Sequence, residues 1–178
     1  MSFFNRRRTV RLSQHRTADS PFGPIRISYD RWPSVIALVQ GPGMPRVQVR
    51  PDRVHGRIKV DGQMILTRRG NDSRWALRRR TRTRTAMVGE RTYELRPTSL
   101  RRARLLRNGT PIAEAHGTLR SYVSLRGIPG IDARLNWSQG LDPYDVAIGQ
   151  AMVVAFGAGA PGALTSLVSF SLDLISSS

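Results

Sequence analysis

The stretch that decides the fold is Asp142-Pro-Tyr-Asp-Val-Ala-Ile-Gly-Gln-Ala-Met-Val-Val-Ala-Phe156. Asp142 is a favoured helix N-cap, Pro143 suits the first helical position, and Asp145 lies where the helix dipole favours negative charge. The apolar residues that follow cover every face of the predicted helix instead of one stripe. Such a helix must be surrounded by protein or by lipid.

The chain before this helix has the pattern of short strands. Apolar and polar residues alternate in 24–28, 46–50 and 56–60, which is the period of a strand with one buried face. Asp61-Gly62 and Asn108-Gly109 each stand between two such runs, and both pairs tolerate the positive φ angles of a two-residue hairpin turn. Further strands are predicted in 73–78, 91–96, 119–125 and 131–137.

Eight or nine strands followed by one apolar helix predict a mostly β fold of the α+β type. An antiparallel β-barrel closed around the C-terminal helix would surround that helix and remove exposed strand edges. The alternative for 147–172, which carries no charged residue, is a membrane anchor. The glycines and the proline of 157–162 predict a break between two shorter helices, which favours a buried core helix.

We predict two parts, a basic arm or accessory strands in 1–45 and a β-barrel domain with its C-terminal helix in 46–178. Arg6-Arg-Arg8 resembles the arginine pair of a twin-arginine export signal. It is not followed by the apolar stretch that export signals require. We therefore expect a cytoplasmic protein, one that can also associate peripherally with the membrane.

The charge of the chain points to anionic partners. Its 178 residues include 29 Lys+Arg against 12 Asp+Glu, a formal net charge of +17, and Lys59 is the only lysine. Arginine presents a planar fork of donors that matches phosphate and carboxylate groups. A chain of this charge attracts nucleic acid, anionic membranes and acidic proteins.

Enzyme and metal chemistry find little support in the sequence. The chain has no cysteine, and its three histidines, His15, His55 and His116, lack the spacing of a metal site. No Gly-x-Ser-x-Gly elbow and no phosphate-binding loop with Lys and Ser or Thr occurs. We therefore expect a protein that is not an enzyme and that needs no cofactor and no metal.

One candidate anion-binding segment is Arg78-Arg-Arg-Thr-Arg-Thr-Arg-Thr85. In a strand, Arg80, Arg82 and Arg84 would project from one face, because side chains alternate; Arg78 extends the same series. Such a ladder suits the phosphates of a nucleic acid or a row of lipid headgroups. The alternative is an exposed face whose arginines keep an edge strand from aggregating.

The second candidate segment is a cluster formed by Arg101, Arg102, Arg104 and Arg107, together with the nearby Arg96, and a short basic helix and a basic hairpin both fit it. Trp75, Tyr93 and Tyr122 lie in basic predicted strands and could stack on bases. Lone aromatic residues in strands are more often part of a core. The two clusters together predict a phosphate-binding surface.

The strand Tyr93-Glu-Leu-Arg-Pro-Thr-Ser99, the hairpin Arg107-Asn-Gly-Thr-Pro-Ile-Ala-Glu114 and the all-apolar C-terminal helix give the chain a pattern that resembles the tubby-like superfamily. Phospholipid scramblases and plant LURP-one-related proteins belong to that superfamily. The resemblance covers roughly residues 45 to 175. It implies a β-barrel around a central helix and, as in some members, phosphoinositide binding, but it assigns no lipid-binding residue.

These observations predict a non-catalytic binding or scaffolding module for an anionic ligand, held by charge-assisted hydrogen bonds. The preferred ligand is a membrane surface or a phosphorylated lipid headgroup. The first alternative is a nucleic-acid or ribosome-associated binding protein. The second is a structural subunit of a larger assembly, in which the basic face meets an acidic protein partner.

Overall fold

The computed structural model describes residues 12, 14–30, 34–53, 55–70, 82–118 and 128–159. Within these ranges the chain is mostly β, with two antiparallel sheets and one helix, as the sequence predicts. The strands are β1 Gln14–Ala18, β2 Ile25–Asp30, β3 Ile36–Gln40, β4 Val47–Arg50, β5 Arg57–Val60, β6 Gln63–Met64, β7 Leu66–Arg69, β8 Arg84–Val88, β9 Arg91–Pro97, β10 Arg102–Arg107, β11 Thr110–His116 and β12 Arg134–Trp137. The helix α1 is Pro143–Phe156.

Both sheets follow chain order. The first sheet contains β1 to β6 and the second contains β7 to β12, and each strand pairs with the strands next to it in sequence. The two predicted hairpin turns are confirmed: Asp61 and Gly62 have φ angles of 47° and 87°, and Asn108 and Gly109 have 49° and 82°. A turn with positive φ at both central residues matches the right-handed twist of the flanking strands.

The two sheets meet in one extended stretch, because Ile65 alone separates β6 from β7. Its backbone N–H donates to the carbonyl of Ile58 at 2.9 Å, and the Thr67 hydroxyl donates to the carbonyl of Gly56 at 3.4 Å. The β5–β6 register therefore continues into β7, whose other edge pairs with β8. Residues 63–69 thus form the junction between the sheets.

Helix α1 lies between the two sheets and is enclosed by them. Every residue from Asp145 to Phe156 is buried. The helix contacts β3, β4 and β5 of the first sheet and β9 of the second. Gly149 allows this close packing, since a Cβ there would lie 2.3 Å from Leu105 Cδ2 and would force that side chain to shift. The prediction that this helix is surrounded is confirmed, and protein surrounds it.

Both ends of α1 use the predicted devices. Asp142 accepts a hydrogen bond from the Asp145 backbone N–H at 2.8 Å, and Asp145 accepts one from the Asp142 N–H at 3.2 Å, which makes a capping box. The helix ends at Phe156, and Gly157 follows with a φ of 87°. Among the described residues no helix is long and apolar enough to cross a membrane.

Some predictions lie outside the described ranges or differ from the structure. The predicted strands 73–78 and 119–125 and the second predicted helix fall on residues that are not described. The predicted strand 131–137 begins only at Arg134, because two successive turns precede it and Gly130 packs directly against the carbonyl of Val153.

Neither sheet closes on itself within the described residues. No strand pairing joins β1 to β12, so the closed barrel stays a prediction. Strands β1 to β3 lie within residues 1–45, and β3 is hydrogen-bonded to β4 across the predicted boundary. The division into 1–45 and 46–178 also stays a prediction.

Candidate anion-binding surfaces

The described part of the predicted arginine ladder differs from an exposed strand. Arg78 and Arg80 lie outside the described residues, and Arg82 is half-buried in a short helical turn. Strand β8 begins at Arg84, which is 8% exposed. Its guanidinium donates to the carbonyl of Arg53 and lies 5.5 Å from the centre of the Phe156 ring. The prediction that Arg84 projects outward as part of the ladder is wrong, because Arg84 faces the core. Anion binding by these arginines stays a prediction.

Arg107, predicted to hold an external anion, is bonded to a carboxylate of its own chain. Its guanidinium pairs with Asp145, which is fully buried. Asp145 also accepts from Arg91 at 3.1 Å and from the Tyr93 hydroxyl at 2.9 Å, and Arg91 reaches Asp142 at 2.6 Å. We call these five residues the helix-start network. The network fixes the beginning of α1 to β9 and β10.

The pKa values in the helix-start network are shifted by its hydrogen bonds and by burial. Burial alone would raise the pKa of Asp142, but the Asp145 backbone N–H and the Arg91 guanidinium outweigh it and lower that pKa. Hydrogen bonds to Tyr93 and Asp142 raise the pKa of Arg91, and burial raises that of Tyr93. The interpretation of Asp142 and Asp145 as capping residues is confirmed.

Arg101, Arg102 and Arg104 of the second cluster lie at or near the outer face of the hairpin β10–β11. The sequence allowed a basic helix or a basic hairpin for this segment, and the structure has the hairpin. Arg101, Arg102 and Arg104 are all exposed. Arg104 is paired with Glu114 at 3.3 Å, while the His116 Nε2 is 3.9 Å from Glu114, beyond hydrogen-bond range. Glu114 is thus engaged by Arg104.

Register brings one further arginine beside this cluster. Arg102 stands opposite His116, and His116 stands opposite Arg134 on β12. We call Arg101, Arg102 and Arg134 the guanidinium row. None of the three forms an ion pair with a carboxylate anywhere in the described ranges.

A second outward surface, absent from the sequence predictions, lies at the junction between the sheets. Three large apolar side chains are exposed there: Met64 by 52%, Leu66 by 52% and Met87 by 46%. Met64 and Leu66 flank the buried Ile65, and Leu66 pairs with Met87. We call these three the apolar triad.

Four basic residues border the apolar triad. Lys59 pairs with Met64, and the continued register places Arg57 opposite Leu66. Arg50 pairs with Arg57 one strand further on, and Arg68 follows Leu66 by two residues on the same face. None of the four forms an ion pair in the part of the chain that is described. The apolar triad and these four residues together are the junction surface.

A sequence signal for the junction surface exists in Met64-Ile65-Leu66. Three successive apolar residues in a strand cannot all face the core, because side chains alternate. Since Ile65 belongs to the core, Met64 and Leu66 must point outward. The pairing with Met87 needs the register of β7 with β8, which the sequence does not supply.

Among the described residues no group of three or more His, Cys, Asp or Glu is placed to hold a metal ion. Comparison of the chain with protein-family models, with curated proteins and with solved structures found no match. The pattern shared with the tubby-like superfamily therefore stays a resemblance.

Proposed function

We propose that this protein is a non-catalytic binding module whose ligand is the anionic surface of a membrane. The observation that carries the proposal is the set of outward cations that lack a carboxylate partner within the described residues. They include the guanidinium row and the four basic residues of the junction surface.

Uncompensated cations on adjacent strands are unfavourable for the fold. Arg50 and Arg57 stand directly opposite each other, and like charges in that position destabilise a sheet by a few tenths of a kcal/mol or more. Elsewhere the chain does supply carboxylates to its arginines, as at Glu94 and Glu114. Cations left without them are available for phosphate groups of an external ligand.

Two observations favour a membrane over a nucleic acid. Among the described residues the exposed large hydrophobic side chains are methionine and leucine, which insert into lipid, and not the aromatic residues on which bases stack. Tyr93, the described member of the predicted stacking residues, is fully buried and bonded to Asp145. The resemblance to the tubby-like superfamily also supports a lipid ligand.

We also propose that the sheets form one barrel around α1. Support comes from the shared stretch 63–69, from the packing of α1 between the sheets, and from Arg16 of β1, whose Nε lies 3.9 Å from a carboxylate oxygen of Asp132. Hydrogen exchange tests this: in a closed barrel the amides on both edges of β1 are protected, whereas an open edge leaves alternate amides of β1 to exchange fast.

The experiment for the proposed function is co-sedimentation of the full chain with vesicles. One set consists of phosphatidylcholine alone, and in the other part of it is replaced by phosphatidylserine. The chain is expected to pellet with the anionic vesicles and to stay in the supernatant with the neutral ones. Added salt should weaken the binding, because it screens the attraction between arginine and lipid.

A parallel titration with single-stranded RNA completes the test. Tight, salt-sensitive RNA binding without vesicle binding would replace the proposal with nucleic-acid binding. Binding to neither probe would also overturn it and would favour a structural subunit. Equal binding to neutral and anionic vesicles would remove the role given to the cations.

A further inference from the structure

Of the two cationic surfaces, we infer that the junction surface is the one that enters the membrane interface, with its apolar triad below the headgroups and its four basic residues at the phosphates. This inference rests on the proposed function and adds to it the site of contact. The guanidinium row takes no part in the insertion.

The apolar triad has the geometry that insertion requires. Leu66 and Met87 are directly opposite each other on adjacent strands, and Met64 lies two residues before Leu66 on the same face. All three are about half exposed, so each has apolar area left to bury. Met64 and Met87 have unbranched, flexible side chains that can adapt to lipid.

The basic residues stand where the headgroups would be. Lys59 and Arg57 are the cross-strand neighbours of Met64 and Leu66 on β5, and Arg68 continues β7 beyond Leu66. Long basic side chains lay their stems along apolar surface and extend the charged end to the interface. Each cation near an anionic leaflet contributes on the order of 1 kcal/mol to binding.

The guanidinium row lacks the apolar part of this arrangement. Its outward neighbours are polar or charged, among them Arg104, Glu114 and Asn136. The exposed large hydrophobic residues of the described chain all belong to the apolar triad. The row can therefore attract an anionic surface but gains nothing by penetrating it.

Charge complementarity selects a membrane over a second copy of the chain. Two junction surfaces face to face would bring four cations against four, and the seven residues that define each surface include no carboxylate to offset them. Three half-exposed side chains also offer far less than the roughly 800 Å² per partner that a stable interface buries. An anionic bilayer carries the opposite charge to the four cations and can accommodate three apolar side chains.

The test compares three variants of the full chain by co-sedimentation with phosphatidylserine-containing vesicles. M64S/L66S/M87S removes the apolar triad without a change of charge, and we expect a roughly tenfold or greater loss of affinity. R57S/K59S removes two charges from the junction surface, with an expected loss of roughly 10- to 30-fold. R102S/R134S removes two charges from the guanidinium row, which attracts the anionic surface only from a distance, and should lower affinity by about threefold.

The outcomes separate this inference from the proposed function. If the unaltered chain does not bind anionic vesicles, the proposed function fails. If it binds, but R57S/K59S and R102S/R134S weaken it equally, binding follows net charge and the inference alone is overturned. The unfolding midpoints of all variants show whether each is folded. If M64S/L66S/M87S does not fold, the comparison of R57S/K59S with R102S/R134S tests the inference.

Discussion

Arg107 and Arg102 lie on the same strand, yet they have opposite surroundings. Arg107 faces inward and is bonded to the fully buried Asp145 in the helix-start network. Arg102 is exposed and belongs to the guanidinium row, where no carboxylate of the described residues reaches it. Arginine content therefore does not define a binding surface; the position of the nearest carboxylate decides whether an arginine serves the fold or is available to a ligand.

Removal of the central carboxylate should have the largest effect. Asp145→Ala leaves Arg91, Arg107 and Tyr93 without their shared acceptor, and we expect a loss of about 3 to 5 kcal/mol in the free energy of unfolding. Urea unfolding followed by circular dichroism measures it. The matched control is Glu114→Ala, which removes the carboxylate partner of Arg104, an exposed arginine on the same strand as Arg107, and should cost at most about 1 kcal/mol.

Truncation of the two arginines tests the comparison directly. Arg107→Met should lower the free energy of unfolding by about 2 to 3 kcal/mol, because Asp145 loses a charged donor inside the protein. Arg102→Met should leave it within about 0.5 kcal/mol, as for most surface substitutions. Equal effects in urea unfolding would mean that the two sites do not differ as described.

Gln150 is a buried polar residue that, unlike Asp145, has no hydrogen-bond partner for its side chain among the described residues. Its side chain is fully buried in α1, and neither its Nε2 nor its Oε1 has a hydrogen-bond partner among the described residues. Gln150→Met keeps the length of the side chain and removes the unpaired amide, so we expect a gain of about 1 to 2 kcal/mol. A loss of stability in thermal or urea unfolding would indicate that the amide is satisfied.

We expect the smallest effect from Asp142, whose contribution to the free energy of unfolding depends on pH. Its pKa in the folded protein is lowered, so its carboxylate contributes stability that is present above its unfolded pKa and is lost as pH falls through the folded pKa. The difference in unfolding free energy between the unaltered chain and Asp142→Asn should therefore be constant near neutrality and shrink below about pH 4. A difference that grows on acidification would contradict the assignment.

Much of the fold could be predicted from local sequence signals. The N-cap and first turn of α1 and the two hairpin turns depend on residues within a few positions of each other, and all are found. The all-apolar composition of α1 required an enclosure, which the two sheets supply. Which strands border the helix, and whether the barrel closes, depends on contacts distant in sequence.

The candidate site was less accessible to prediction. Alternation along β10 places Arg107 on the face opposite Arg102 and Arg104, a signal that could be used only once the segment was known to be a strand. The partner of Arg107 lies 38 residues away, and only the docking of α1 brings it close. Arg134 joins Arg102 through the pairing of three strands, which no local pattern encodes.

The central claim is that the junction surface, and not the guanidinium row, contacts an anionic membrane. Because the chain has no cysteine, one introduced cysteine carries one environment-sensitive fluorophore. Labels at Met64→Cys and at Asn136→Cys, beside the guanidinium row, are compared as phosphatidylserine-containing vesicles are added. Insertion of the junction surface should give a blue shift and brighter emission at position 64 and almost none at 136; a shift at 136 without one at 64 would exclude it.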